Sequence, residues 1–173
     1  MPAQPSIKTP RKQPLYEGDL YLWSLQQAAL LREGRLNEID RMHIAEELDD
    51  VGSELYERLE SALTVLLMHM LKWDYQQARR SRSWEATIRE QRKRIEKLLK
   101  KNPHLKSRYE EALEDGYQYG RDRASAETDM AVATFPPKCP YSRDDIMKRE
   151  FSFDPIDAHH EPDLSKPGKS KVR

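Results

Sequence analysis

No proline occurs in residues 15–102, whereas Pro2, Pro5, Pro10 and Pro14 precede that block and the remaining prolines follow from Pro103 onward. Proline removes a backbone donor and clashes with the preceding turn, so a block of this length without one can carry long helices. Within it Leu55, Leu59, Ala62, Leu63, Leu66, Leu67, Met70 and Leu71 recur along one helical stripe, and no stretch alternates with the period of a strand. These patterns predict an all-α, antiparallel helical bundle of about five helices, over residues 18–32, 37–51, 53–76, 83–101 and 103–127.

The helix boundaries follow from local chemistry. Asp19 is placed to cap the first helix and Gly34 lies just past its end, while Asn37 is placed to cap the second. Gly52 with Ser53 reads either as a stop followed by a new cap or as a kink in one long helix, and the stop is the favoured reading. Ser83 supplies an N-cap oxygen for the fourth helix with Glu85 in its first turn, and Asn102 caps a fifth helix that has Pro103 at its first position. Ser142 and Asp145 can begin a short last helix as a variant of the capping box. On the fifth helix Ala112, Gly116, Gly120 and Ala124 fall four apart. Each mid-helix glycine costs about 1 kcal/mol against alanine, so this ridge predicts close approach of another helix, from the same chain or from a second copy.

The chain has 173 residues, of which 37% are hydrophobic, in keeping with one domain of ordinary size. Residues 15–151 are expected to form that helical domain, with residues 1–14 a disordered leader and residues 152–173 a disordered tail. The apolar run at residues 62–71 is interrupted by Thr64 and His69 and falls far short of the roughly 20 residues a bilayer requires, so no membrane partner is expected. The leader carries Lys8, Arg11 and Lys12 without an apolar core, and the single Cys139 has no internal partner for a disulfide. A cytoplasmic, reducing location is the corresponding expectation.

Several segments occur together in one order: Gln27-Ala28-Ala29-Leu30-Leu31-Arg32, Ala45-Glu46-Glu47-Leu48-Asp49-Asp50-Val51-Gly52, His69-Met70-Leu71-Lys72-Trp73, Arg79-Arg80-Ser81-Arg82-Ser83-Trp84-Glu85-Ala86-Thr87-Ile88-Arg89-Glu90-Gln91 and Cys139-Pro140-Tyr141. In these the chain resembles a bacterial family known as domain of unknown function 29, from about Tyr16 to about Met147. The resemblance implies a compact all-helical protein and carries no settled activity.

The formal net charge is zero, with 30 bases and 30 acids, but the charges are segregated. Residues 33–60 hold ten acids against three bases, residues 72–108 thirteen bases against four acids, and residues 109–130 seven acids against two bases. One reading is that neighbouring helices neutralise each other, with each exposed pair contributing only about 0–1 kcal/mol. The other is a basic face of Arg79, Arg80, Arg82, Arg89, Arg92, Lys93 and Lys97, with Trp84 beside it, turned toward an anionic partner. Guanidinium forks grip phosphate and aromatic faces stack on bases, so nucleic acid is one such partner, in an antitoxin-like or accessory role. Core use is the alternative for Trp73 and Trp84, with Arg79 or Arg80 over a ring as a cation–π pair. Glu46, Glu47 and Asp50 make an opposite, acidic face.

His43, Glu46 and Glu47 share a helical face, and His69 interrupts an apolar stripe. His43, Glu47 and His69 together have the composition of a two-His-one-carboxylate site for a divalent transition metal, which would make the chain a metal-dependent hydrolase or lyase. The order is the reverse of the Glu-x-x-His of di-iron bundles. The plainer reading of His69 is a neutral ring bonded to a backbone carbonyl, or to Glu46 or Glu47. Cys139 has no neighbouring histidine to activate it, and the scattered glycines form no phosphate loop. The residues favour a non-enzymatic interaction protein without a cofactor, holding a protein partner or a second copy through its basic or acidic face.

Overall fold

The computed structural model describes residues 15–153, so the expected leader, and the tail beyond residue 153, lie outside the described residues. The α-helices are α1 (Leu15–Gly18), α2 (Leu20–Arg32), α3 (Arg41–Tyr75), α4 (Arg82–Lys101), α5 (Tyr109–Thr128) and α6 (Arg143–Lys148). Among the described residues there is no strand, which makes the fold all-α. No helix among them is long and apolar enough to cross a membrane. A boundary between Ser53 and Glu54, inside α3, divides the chain into two compact units.

In the first unit α2 begins as its sequence predicts, with the Asp19 carboxylate accepting the Leu22 N–H at 2.9 Å. It ends with Gly34 in the left-handed region at φ +72°, where the Glu33, Gly34 and Arg35 N–H groups bond back to the Ala29, Leu31 and Leu30 carbonyls. The start of the next helix differs. Asn37 lies in the connecting turn, and α3 is capped by Asp40, which accepts the His43 N–H at 3.4 Å and pairs with its ring. The Asp40 N–H is in turn bonded to the Gln27 side chain at 2.8 Å, and this tie fixes the cap at residue 40.

The stop expected at Gly52 and Ser53 does not occur, and α3 runs through them. Gly52 lacks the left-handed conformation of a helix terminator, and a Cβ added there would meet nothing within 4 Å. A lone glycine costs a helix only about 1 kcal/mol, too little to break one of 35 residues.

The second unit packs the C-terminal turns of α3 with α4, α5 and α6 around one core. Leu59, Leu63, Leu66, Leu67, Met70 and Leu71 from α3 meet Ile88 and Ile95 from α4, Tyr109 and Tyr117 from α5, and Phe135 and Ile146 from the C-terminal segment, all fully buried. Ser81 rather than Ser83 caps α4, accepting the Trp84 N–H at 3.3 Å. Asn102 closes α4 instead of opening α5, because its amide donates to the Leu98 carbonyl at 3.0 Å. Pro103 starts a 3-10 segment, Pro103–Arg108, which delays α5 to Tyr109. Ser142 and Asp145 form a complete capping box on α6. The ridge of small residues on α5 meets α3 of the same chain: a Cβ on Gly116 would lie 3.1 Å from the Leu63 Cβ, and one on Gly120 2.9 Å from the Thr64 carbonyl oxygen.

Candidate functional site

The residues singled out at the start of α3 act together within the first unit. The His43 Nδ1 lies 2.6 Å from an Asp40 oxygen. This bond raises the imidazole above its ordinary pKa and holds the Asp40 carboxyl below the usual carboxylate range. The ring stacks on Tyr16 of α1 at 3.9 Å and stands edge-on to Trp23 of α2 at 6.5 Å. The Tyr16 hydroxyl donates to Glu47 at 2.9 Å. The shared face of His43 and Glu47 thus ties α1 and α2 to α3, while Glu46 and Asp50 point to solvent.

His69 belongs to a partly buried polar group in the second unit. Its Nδ1–H donates to the Val65 carbonyl at 2.9 Å, since a carbonyl can only accept. Burial, with Lys72 nearby, pushes its pKa down and keeps the ring neutral. The backbone partner is therefore a residue of its own helix. Lys72, itself buried, pairs with Glu127 and holds its ammonium 4.5 Å from the centre of the Trp84 ring. His43 lies in the first turn of α3 and His69 near its last. The proposed set of His43, Glu47 and His69 is not gathered, and among the described residues no group of three His, Cys, Asp or Glu side chains is arranged to hold a metal ion.

The arginine-rich segment divides into two populations. Arg80 donates to the Trp73 carbonyl at 2.9 Å and lies over the Trp73 ring at 5.1 Å, the cation–π arrangement expected from sequence. Arg92 donates to the carbonyls of Ile146, Arg149 and Asp145 at 2.6, 2.7 and 2.9 Å and so terminates α6. Trp84 is half-buried between Lys72 and His69. Arg79, Arg82, Arg89, Lys93 and Lys97 remain exposed. Among the described residues the ion pairs of α4 join residues of that helix, Arg89 with Glu85 at 3.2 Å and Arg94 with Glu90 at 2.9 Å.

Two features escaped the sequence reading. Asp74 receives both Arg149 nitrogens at 2.6 and 2.9 Å and the Tyr141 hydroxyl at 2.9 Å, closing the C-terminal segment onto α3. Tyr141 stands in the Cys139-Pro140-Tyr141 segment, which was the available signal; burial pushes the Cys139 thiol up, away from the thiolate form. The second is an apolar surface. Of twelve exposed large apolar residues among the described residues, nine lie in the first unit: Leu20, Tyr21, Leu22, Leu25, Leu31 and Leu36, then Met42, Leu48 and Val51. Only Trp23 on α2 is buried. On a helical wheel Tyr21 and Leu25 fall opposite Trp23, so α2 is apolar on its outer side as well as on its inner one.

The family described as "Domain of unknown function DUF29" matches residues 15–152, and the chain belongs to it. No curated protein and no solved structure matches the chain.

Proposed function

We propose that this member of the family is an interaction module that pairs with a second copy of itself through the apolar faces of residues 15–53. The exposure of nine large apolar residues on the first unit carries this reading. Large apolar side chains gathered on one unit mark association sites on soluble proteins. A helix that is apolar all round needs cover on every side, and the described residues cover only the Trp23 side of α2.

Two identical faces can close a twofold interface, in which each residue meets its counterpart's neighbours. Charge tunes the contact without driving it. Residues 15–53 carry nine acids against three bases, so two copies meet with like charge and added salt strengthens the pairing. A basic protein partner on the same face would give the opposite salt dependence. Light scattering of the full chain and of the double variant Leu22→Glu with Leu25→Glu tests the reading. A dimer that the variant abolishes supports it, and a protein that stays monomeric at every concentration rejects it.

A further inference from the structure

Where α4 runs into the 3-10 segment and α6 folds against it, the second unit forms a pocket of about 370 Å³. That size lies within the range of small-molecule sites. Three elements bring a cation to its rim: Lys100 from α4, Lys106 from the 3-10 segment and Arg143 from α6. Glu96 is the one acid in the lining. The ion pairs formed by the described residues leave Lys100, Lys106 and Arg143 uncommitted, while Arg94 and Lys148 nearby in sequence are already held by Glu90 and Asp144. Leu99 and Met147 give the pocket an apolar side.

Tyr109, also in the lining, is 1% exposed, and its hydroxyl has no hydrogen-bond partner among the described residues. Buried hydroxyls in native proteins are nearly always bonded, so the Tyr109 hydroxyl calls for a partner that the described residues do not supply. Burial raises the pKa of the phenol, which stays protonated and can donate. Arg143 lies over the Tyr109 ring at 4.2 Å, which sets this cation against the pocket wall.

We propose that this pocket binds a small phosphate monoester, with the phosphoryl group among Lys100, Lys106 and Arg143 and the organic part on Leu99 and Met147. Three cations against one carboxylate suit a group that carries between one and two negative charges near neutral pH and offers three acceptor oxygens. The apolar side separates such a ligand from inorganic phosphate, which has nothing to place there.

Calorimetric titration of the full chain with phenyl phosphate, inorganic phosphate and phenol tests the site. Phenyl phosphate should bind more tightly than either of the others. Lys106→Glu should weaken it by tenfold or more, and Tyr109→Phe by several-fold. Because the hydroxyl has no partner among the described residues, Tyr109→Phe should leave the melting temperature of the ligand-free protein unchanged or raised, which a structural role of that hydroxyl would not allow. Absence of phenyl phosphate binding at millimolar concentration overturns the proposal. So does equal affinity for phenyl and inorganic phosphate, or binding that neither substitution weakens.

Discussion

Gly120 of α5 faces Thr64 of α3 so closely that a Cβ on the glycine would come within 2.9 Å of the Thr64 carbonyl oxygen, a backbone atom that cannot swing aside. Glycine is held there by contact, whereas at Gly52 nothing stands within 4 Å. Alanine should therefore have opposite effects at the two positions. Gly120→Ala is expected to lower stability by about 1–3 kcal/mol through overpacking, although alanine is the better helix former. Gly52→Ala should raise it by about 0.5–1 kcal/mol, because α3 is helical there and open to solvent. Urea unfolding followed by circular dichroism reads both, and destabilisation by Gly52→Ala would restore the helix stop that the sequence suggested.

Arg92 joins α4 to the end of α6 through three carbonyls. Burial lowers its pKa, as a cation removed from water requires. Arg92→Ala should cost about 3 kcal/mol, and Arg92→Lys nearly as much, since an ammonium on a flexible stem cannot reproduce a planar fork across three acceptors. Arg89→Ala, on the exposed side of the same helix, should change stability by no more than about 0.5 kcal/mol. Equal effects of Arg92→Ala and Arg89→Ala would show that the two arginines are not divided between structural and surface roles.

The two histidines of α3 should respond to pH in opposite senses. His43 is raised by its bond to Asp40, so its contribution is complete below the ordinary histidine value of about 6.5 and is lost as pH rises through the folded-state value. His69 is lowered by burial, so the stability it allows is complete above about 6.5 and is lost as pH falls and the unfolded chain takes up the proton first. His43→Gln should weaken protection of the first unit more at about pH 5.5 than at about pH 8, and His69→Gln should weaken the second unit more at the higher pH. Hydrogen exchange resolved by unit measures both, and parallel responses would contradict these assignments.

The helical content was legible because proline absence and the apolar period act locally. The stripe ending in Leu66, Leu67, Met70 and Leu71 becomes the core surface of α3, and the spacing of Gly116 and Gly120 announced a close neighbour. The caps were harder to read because several side chains of the same type stood within a turn of each other. Ser81 was chosen over Ser83, and Asp40 over Asn37, by bonds to Trp84, His43 and Gln27. The charge segments misled for a related reason. Net charge counts Arg80 and Arg92 with Lys93 and Lys97, yet the first two are spent on backbone carbonyls that sequence spacing does not display. The apolar outer side of α2 was visible in principle, since Tyr21, Leu22, Trp23, Leu25, Leu30 and Leu31 occupy every side of that helix.

Pairing of the first unit is tested most directly by sedimentation equilibrium of the full chain at rising salt. The expected result is a monomer–dimer equilibrium that shifts toward dimer as salt screens the acidic faces, and that Leu22→Glu with Leu25→Glu reduces to monomer. A monomer at every concentration and salt, or a dimer that the double variant leaves intact, would contradict it.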